Sequence, residues 1–412
     1  MTIGSTSRIG SRVLSHSRAL EGMYILTQIL GTIASLVIAR SVGPAGRGSV
    51  TTLVVWAQLL GWIAAFSLDK AIVVLSRSAL SDSLDPDAAL AWSRRVVSAL
   101  GVPVAAICFV MGQHLFHDWV WSIFLIVGSL ATANGALSSG WLLAHKRVKG
   151  FIIYQLAQPL LYFMMVSIVA LVLRHVDVET RVMALALATT ASLVIPVACV
   201  SIITPWRIRA KVPSRGLVRF AFSSQAAIAM LYLNSRLDIL TLSLLSSPRE
   251  VGLYSVGYSI GQATVLLGSA GIVRGIMGRS TNVDKSGIVL TGVLGIVIAC
   301  LSPFVIPLIF GQAFDASIRV AQIIAIGGVV SYAMQSASGR LLGAGRPWLM
   351  ALAEGVGAIA FGVGISVSRQ IDSVAISSVL SFGASLIVAQ LCLRRVKGDR
   401  VYYPDELPGI PE

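Results

Sequence analysis

Twelve stretches of this chain are continuously apolar for about 20 residues, the length needed to cross a bilayer, and that constraint precedes every other. They cover about 20–40, 49–75, 95–113, 119–144, 151–173, 182–204, 217–245, 251–275, 287–310, 317–341, 348–368 and 372–393. Inside hydrocarbon the backbone must satisfy its own polar groups, so only helices and closed barrels cross. The runs lack the period-two alternation of barrel strands, so the expected class is an all-α polytopic membrane protein. Charged residues make up 12% of the chain, half the roughly 25% of a soluble domain. The first run follows Arg8, Arg12 and Arg18, but it is too long for a signal peptide and has no small-residue cleavage site. It reads as the first span.

The chain also repeats itself. Ser139-Gly140-Trp141-Leu142-Leu143 with Arg147 returns as Ser338-Gly339-Arg340-Leu341-Leu342 with Arg346. Gly43-Pro44-Ala45-Gly46-Arg47-Gly48 has a counterpart in Ser247-Pro248-Arg249-Glu250-Val251-Gly252. The two pairs keep their order at nearly the same spacing, so one half maps onto the other. The expected organisation is a six-helix bundle over 1–210, a second over 211–398 and a short tail over 399–412. Two such halves about a pseudo-twofold axis are a transporter architecture, with the substrate site at their interface.

Basic residues orient the chain. With both termini cytoplasmic, 23 of the 32 Lys and Arg fall in cytoplasmic segments and 7, including Arg40 and Arg47, in outer loops; Lys70 and Arg236 lie within spans. This satisfies the positive-inside rule. It also accounts for the net charge of +14 as basic loops facing anionic lipid, not nucleic acid.

Other classes lose ground. No loop exceeds about 20 residues, counted between spans as long as the bilayer requires, so an extramembrane catalytic domain is not expected. There is no G-x-x-x-x-G-K-[ST] phosphate loop, and Gly343-Ala344-Gly345-Arg346 reads as a turn. Cys108, Cys199, Cys300 and Cys392 all lie in apolar runs without paired spacing, which suits packing. His114 and His117 beside Asp118 have helical spacing, but a lone pair in a short loop is weak grounds for a metal. No nucleophile–base pair appears; neither enzyme activity nor a cofactor is expected.

Ionisable residues deep in a span default to functional candidates. Arg236 lies roughly 24 Å into the seventh span at 1.5 Å per residue. It is either a cationic contact for an anionic ligand in a central cavity or, with Asp238, a partner of neighbouring helices; the sequence leaves both open. Positions i and i+2 face apart, so Arg236 and Asp238 are not expected to pair. Glu354 and Asp69 are the candidates for ion coupling. Arg274 and Arg340, closing their spans at the cytoplasmic face, could receive phosphates. Gln28, Gln58, Asn134, Gln225, Asn234, Gln262 and Gln335 lie in spans of both halves, as expected if the halves enclose one polar cleft.

Three stretches resemble the multidrug/oligosaccharidyl-lipid/polysaccharide flippase superfamily, in particular its polysaccharide-unit (Wzx-type) branch. They are Ile38-Ala39-Arg40 with Gly43-Pro44 and Gly46-Arg47-Gly48; Asn234-Ser235-Arg236-Leu237-Asp238 with Val251-Gly252-Leu253-Tyr254-Ser255; and Phe310-Gly311-Gln312-Ala313-Phe314 with Gly339 to Pro347. The resemblance implies a MATE-like fold, two six-helix bundles in a V about a central cavity, in a bacterial inner membrane. It implies export of isoprenoid-diphosphate-linked oligosaccharide by alternating access, for cell-surface polysaccharide. Arg236 would hold the diphosphate, with Asn234, Asp238, Arg274, Arg340, Gln28 and Gln58 completing the substrate site. Partners on this reading are the lipid-linked glycan, the bilayer and polysaccharide polymerase or glycosyltransferases. Many members have fourteen spans and this chain has twelve. The competing readings are a drug-cation antiporter of the same superfamily and a non-transporting scaffold, with Trp206–Arg219 as a docking loop.

Overall fold

The computed structural model describes residues 5–77, 85–204, 215–276, 285–344 and 346–396. Among them every regular element is helical. The order is α1 (Ser5–Ala65), α2 (Leu68–Arg77), α3 (Pro86–Phe116), α4 (Trp119–Ala144), α5 (Val148–Val172), α6 (Val178–Ile203), α7 (Arg215–Leu245), α8 (Pro248–Ile276), α9 (Lys285–Phe310), α10 (Ser317–Gly343), α11 (Pro347–Val367) and α12 (Ile371–Val396). All twelve apolar runs fall on helices. Among the described residues ten helices are long and apolar enough to cross a membrane, and one of these stretches, Ile25–Ala65, has 41 residues, about twice what a single crossing needs. The expected boundary at 210, most of the Trp206–Arg219 loop and the tail lie outside the described residues.

The first two spans are joined in a way the sequence does not suggest. An outer loop was expected around Arg40 and Arg47, but helix continues through both, broken only at Gly43 (φ 69°, ψ −171°). Glycine takes this positive φ without steric cost, and Pro44, with no N–H to leave unpaired, starts the next arm. Arg47 is accordingly buried in helix. Arg40 stays exposed and donates from Nε and Nη2 to the carbonyls of Ile309 and Leu308, at 2.5 and 2.7 Å. Those are orphan carbonyls at the end of α9, where a cation is favoured. The second arm breaks again at Phe66 and Ser67, both left-handed (φ 50° and 51°), and resumes as α2.

Both sequence repeats are repeats of structure. After α4, the Arg147 N–H donates to Leu142 O at 2.9 Å; after α10, Arg346 N–H donates to Leu341 O at 3.0 Å. The same turn thus closes the fourth helix of each half. The glycine repeat meets itself. A Cβ on Gly48 would overlap the Pro248 carbonyl, and one on Gly252 would overlap the Pro44 carbonyl. Thr51 Oγ1 and Ser255 Oγ, 204 positions apart, are 3.4 Å from each other in the next turn. Equivalent residues from both halves touching one another mark a pseudo-twofold axis through this contact.

In lipid, apolar side chains gain little from leaving hydrocarbon, so close backbone approach and polar contacts hold helices together. Much of the apolar surface therefore stays outward: Leu308, Phe304, Val367 and Ile202 are among the exposed residues. Inside, one cluster is drawn from α1 to α6 with Ala221 of α7, and another from α7, α10, α11 and α12. A third bridges the halves, setting Val55 and Leu59 of α1 against Ile239, Leu240, Tyr254 and Tyr258.

Candidate functional site

The seam between the halves is built by the second arm of α1 and by α2, lying against α7 and α8. At the Gly48/Gly252 end it is backbone on backbone. Further along, Trp56 Nε1 donates to Ser243 Oγ at 2.9 Å. At the far end α7 clasps the break in the second span. Ser67 Oγ donates to Gln225 Oε1 at 2.9 Å, Gln225 Nε2 reaches Trp62 O at 3.4 Å, and Phe66 meets Phe222 edge-on. Helix breaks free carbonyls that something must satisfy, and here the partner comes from the other half.

Between these ends sits Arg236. It is half-buried, and its guanidinium lies 5.4 Å from the centre of the Tyr258 ring, a cation–π distance. Among the described residues it makes no hydrogen bond and no ion pair. One turn earlier on α7, Tyr232 donates to Gln58 Oε1 at 3.0 Å, a residue of the other half. Tyr232 thus brings Gln58 of the first half to within one helical turn of Arg236.

Asn234 and Asp238, grouped with Arg236 by sequence, point elsewhere. Asn234 Nδ2 donates to Glu354 Oε2 at 2.7 Å and lies 3.0 Å from Ser385 Oγ, while Ser381 donates to its carbonyl oxygen. Ser338 donates to Glu354 Oε1 at 2.5 Å. Four helices of the second half, α7, α10, α11 and α12, converge on this buried network. One turn further on α7, Asp238 accepts from Tyr254 at 2.6 Å, from Ser378 at 3.3 Å and from the Ile239 N–H. Both carboxyl groups are thus buried and provided with donors, as buried polar groups must be.

The first half holds a cavity instead. It has a volume of about 160 Å³ and lies between α1, α4, α5 and α6. Gln58, Trp62, Thr132, Tyr154, Gln155 and Gln158 give it its polar character. Sequence reading missed Tyr154, Gln155 and Gln158, although two glutamines at i, i+3 in an otherwise apolar span fall on one helix face. Tyr232 and Tyr258 were also missed, having passed as ordinary apolar content of their spans.

The remaining candidates are dispersed. Asp69 is buried, paired with Lys70 at 3.1 Å, and its other oxygen has no partner among the described residues. Gly140 packs directly on the Asp69 backbone. Gln28 is exposed on the first arm of α1. Arg340 is half-buried in the last turn of α10, where a cation complements the helix terminus. The Arg274 side chain lies outside what is described. Gln335 bonds Ser331, and Asn134 returns to the Leu130 carbonyl of its own helix. Among the described residues no group of His, Cys, Asp and Glu could hold a metal ion.

This architecture is similar to that of several solved transporters. The structure titled "Lipid II flippase MurJ, inward closed conformation" superposes with a TM-score of 0.74 over 92% of this chain and 87% of that one, at 10% identity. An inward-facing multidrug resistance MATE family transporter of the MOP superfamily gives 0.66 over 92% and 96%, at 14% identity. The MATE multidrug transporter DinF-BH gives 0.64 over 94% and 95%, at 13% identity. Among curated protein sequences none matches. Residues 18–273 match the family described as "Polysaccharide biosynthesis protein". That stretch is more than half of the chain and contains the Gly43–Gly48 motif, its partner at Gly252 and Arg236. The chain belongs to the polysaccharide biosynthesis protein family, with a MATE-like fold.

Proposed function

We propose that the protein moves isoprenoid-diphosphate-linked oligosaccharide from the cytoplasmic to the outer leaflet by alternating access, for cell-surface polysaccharide. The observation that carries this reading is Arg236. It is a permanent cation, half-buried at the seam of two bundles and held by an aromatic ring; buried Asp238 acts on it only at a distance, with no ion-pair contact among the described residues. A diphosphate supplies the direct anionic contact. Carrying such a headgroup through hydrocarbon would leave many polar groups unsatisfied, at several kcal/mol each. A polar seam replaces their hydration while the isoprenoid tail stays in lipid.

With both termini cytoplasmic in an inner membrane, the Gly48/Gly252 contact closes the outer side. The Gln225 clasp on Ser67 and Trp62 lies toward the cytoplasm. Alternating access then requires the halves to part at each end in turn. An inside-negative potential favours outward movement of the anionic headgroup by about 2.3 kcal/mol per charge per 100 mV. Glu354, which joins α11 to Asn234 of α7 and Ser338 of α10, and Asp69, beside the break in the second span, are the coupling candidates. The drug-cation alternative is less well supported, because no acidic residue is among those lining the first half's cavity.

The test is leaflet exchange of a fluorescent isoprenoid-diphosphate oligosaccharide in proteoliposomes, read with a membrane-impermeant quencher. Exchange above that of empty vesicles is expected. Arg236→Ala should slow it about 10- to 100-fold, the worth of one charge-assisted hydrogen bond, and Arg236→Lys less. Exchange no faster than in empty vesicles would refute the reading.

A further inference from the structure

The cavity in the first half is not explained by the cation at the seam. Its lining residues carry no charged side chain. They are also underused. Gln155 and Gln158 make no hydrogen bond among the described residues, and neither does the Tyr154 hydroxyl; Gln58 uses only its carbonyl oxygen, toward Tyr232. Thr132 and Ser139, by contrast, return their hydroxyls to carbonyls of their own helix. Three primary amides and a phenol thus converge on one cavity with most of their donors and acceptors vacant among the described residues. Such groups are costly to maintain in a membrane interior unless a polar occupant satisfies them. Close packing bounds the space: Gly135 faces the Tyr154 hydroxyl so nearly that a Cβ there would be 2.7 Å from it.

We propose that this cavity is a subsite for an uncharged sugar residue of the transported substrate. Amides offer both donors and acceptors to hydroxyls, while the Trp62 ring already carries the Lys70 ammonium, 4.6 Å from its centre. A carboxylated sugar would bring an anion into a lining with no charged side chain, beside a Lys70 ammonium already paired with Asp69 at 3.1 Å. An amino sugar bearing a free ammonium would lack a carboxylate. Gln58 belongs to both sites, since it lines the cavity and accepts from Tyr232, one turn from Arg236. The geometry therefore places a neutral glycan in the first half while the diphosphate lies at the seam. The proposal rests on the flippase reading and adds which half reads the sugar, and its charge.

Two measurements test it. In proteoliposomes, exchange of an isoprenoid diphosphate bearing a neutral oligosaccharide is compared with that of the same lipid without sugar. Gln155→Ala with Gln158→Ala should slow the glycan-bearing lipid at least about fivefold, a typical loss for one or two neutral hydrogen bonds, and leave the bare lipid unchanged. Arg236→Ala should slow both. Equal slowing of both lipids by the glutamine pair, or an unchanged ratio, would overturn the subsite while leaving the flippase intact. The second measurement does not depend on transport. In nanodiscs, Ser139→Cys is alkylated with a water-soluble maleimide and the labelled peptide identified by mass spectrometry, separating it from the four native cysteines. Protection by the glycan-bearing lipid but not by the bare lipid is expected. Equal protection by both, or by neither, refutes the subsite even if the wild-type protein moves no lipid at all.

Discussion

The two halves share a fold and differ in what they keep inside it. In the second half, polar side chains have found each other. Asn234, Ser338, Glu354 and Ser385 form a closed network, and Asp238 is held by Tyr254 and Ser378. In the first half, Gln58, Gln155 and Gln158 face a cavity with amide groups still open. Duplication of a six-helix unit supplies two interiors of similar geometry. The difference suggests that one interior serves as a packed core and the other as a place for something that arrives and leaves. A satisfied network rigidifies its bundle, whereas unsatisfied groups are a cost only a ligand or water can offset.

The largest effect should come from the element both halves share. Gly48→Ala or Gly252→Ala forces a methyl group into a backbone carbonyl, which cannot move as a side chain can. Overpacking of this kind costs about 1–3 kcal/mol and sometimes more, and detergent thermal-shift measurements should show it for either variant. Because the two glycines occupy one contact, the double variant should lose less than the sum of the singles. Additive losses would mean that the contact is not shared, and the comparison of the halves would lose its axis.

Next in size, Glu354→Ala should destabilise the protein by about 2 kcal/mol, since it strands the donors of Asn234 and Ser338 in the interior. Glu354→Gln, which keeps the volume and one acceptor, should cost less. Hydrogen bonds in membranes are often worth only about 0.6 kcal/mol each, so a loss below ~0.5 kcal/mol would show that the network is dispensable. The contrast sharpens with Gln155→Ala and Gln158→Ala. Neither side chain has a partner to strand among the described residues, so unfolding should shift by less than about 0.5 kcal/mol. If these variants were as destabilising as Glu354→Ala, the first half's cavity would be a core in its own right. The smallest effect is expected from Thr51→Ala. Its contact with Ser255 is long at 3.4 Å, and its hydroxyl already returns to Arg47 O at 2.9 Å.

Much of this was legible in the chain. Twelve continuous apolar runs required helices, and the recurrence of Gly140 and Arg147 at Gly339 and Arg346 announced the halves. Arg236 could be singled out because a cation so deep in a span is rarely incidental. The spacing already set Arg236 apart from Asp238, but it could not say which side faces the seam. Asn234, Arg236 and Asp238 read as one motif, yet the helix turns about 100° per residue, from 3.6 residues per turn. Two of the three therefore enter the second half's interior while the cation faces the seam. The join at Gly43 was hidden because a single glycine before a proline replaces an expected loop, drawing Arg47 from an assumed aqueous position into helix packing. Gln155 and Gln158 carried a signal in their spacing. Its meaning depended on which helix lay opposite, and pairing between helices is not written along one of them.

The central claim is that one ligand site straddles the halves, with Arg236 from the second and Gln58 from the first. The most direct test is a double-mutant cycle on the initial rate of leaflet exchange, using Arg236→Ala, Gln58→Leu and the two together. If both contact one bound headgroup, the double variant should be little slower than Arg236→Ala alone, a coupling of about 0.5–3 kcal/mol. Losses that multiply independently would contradict a shared site and return the two residues to separate roles.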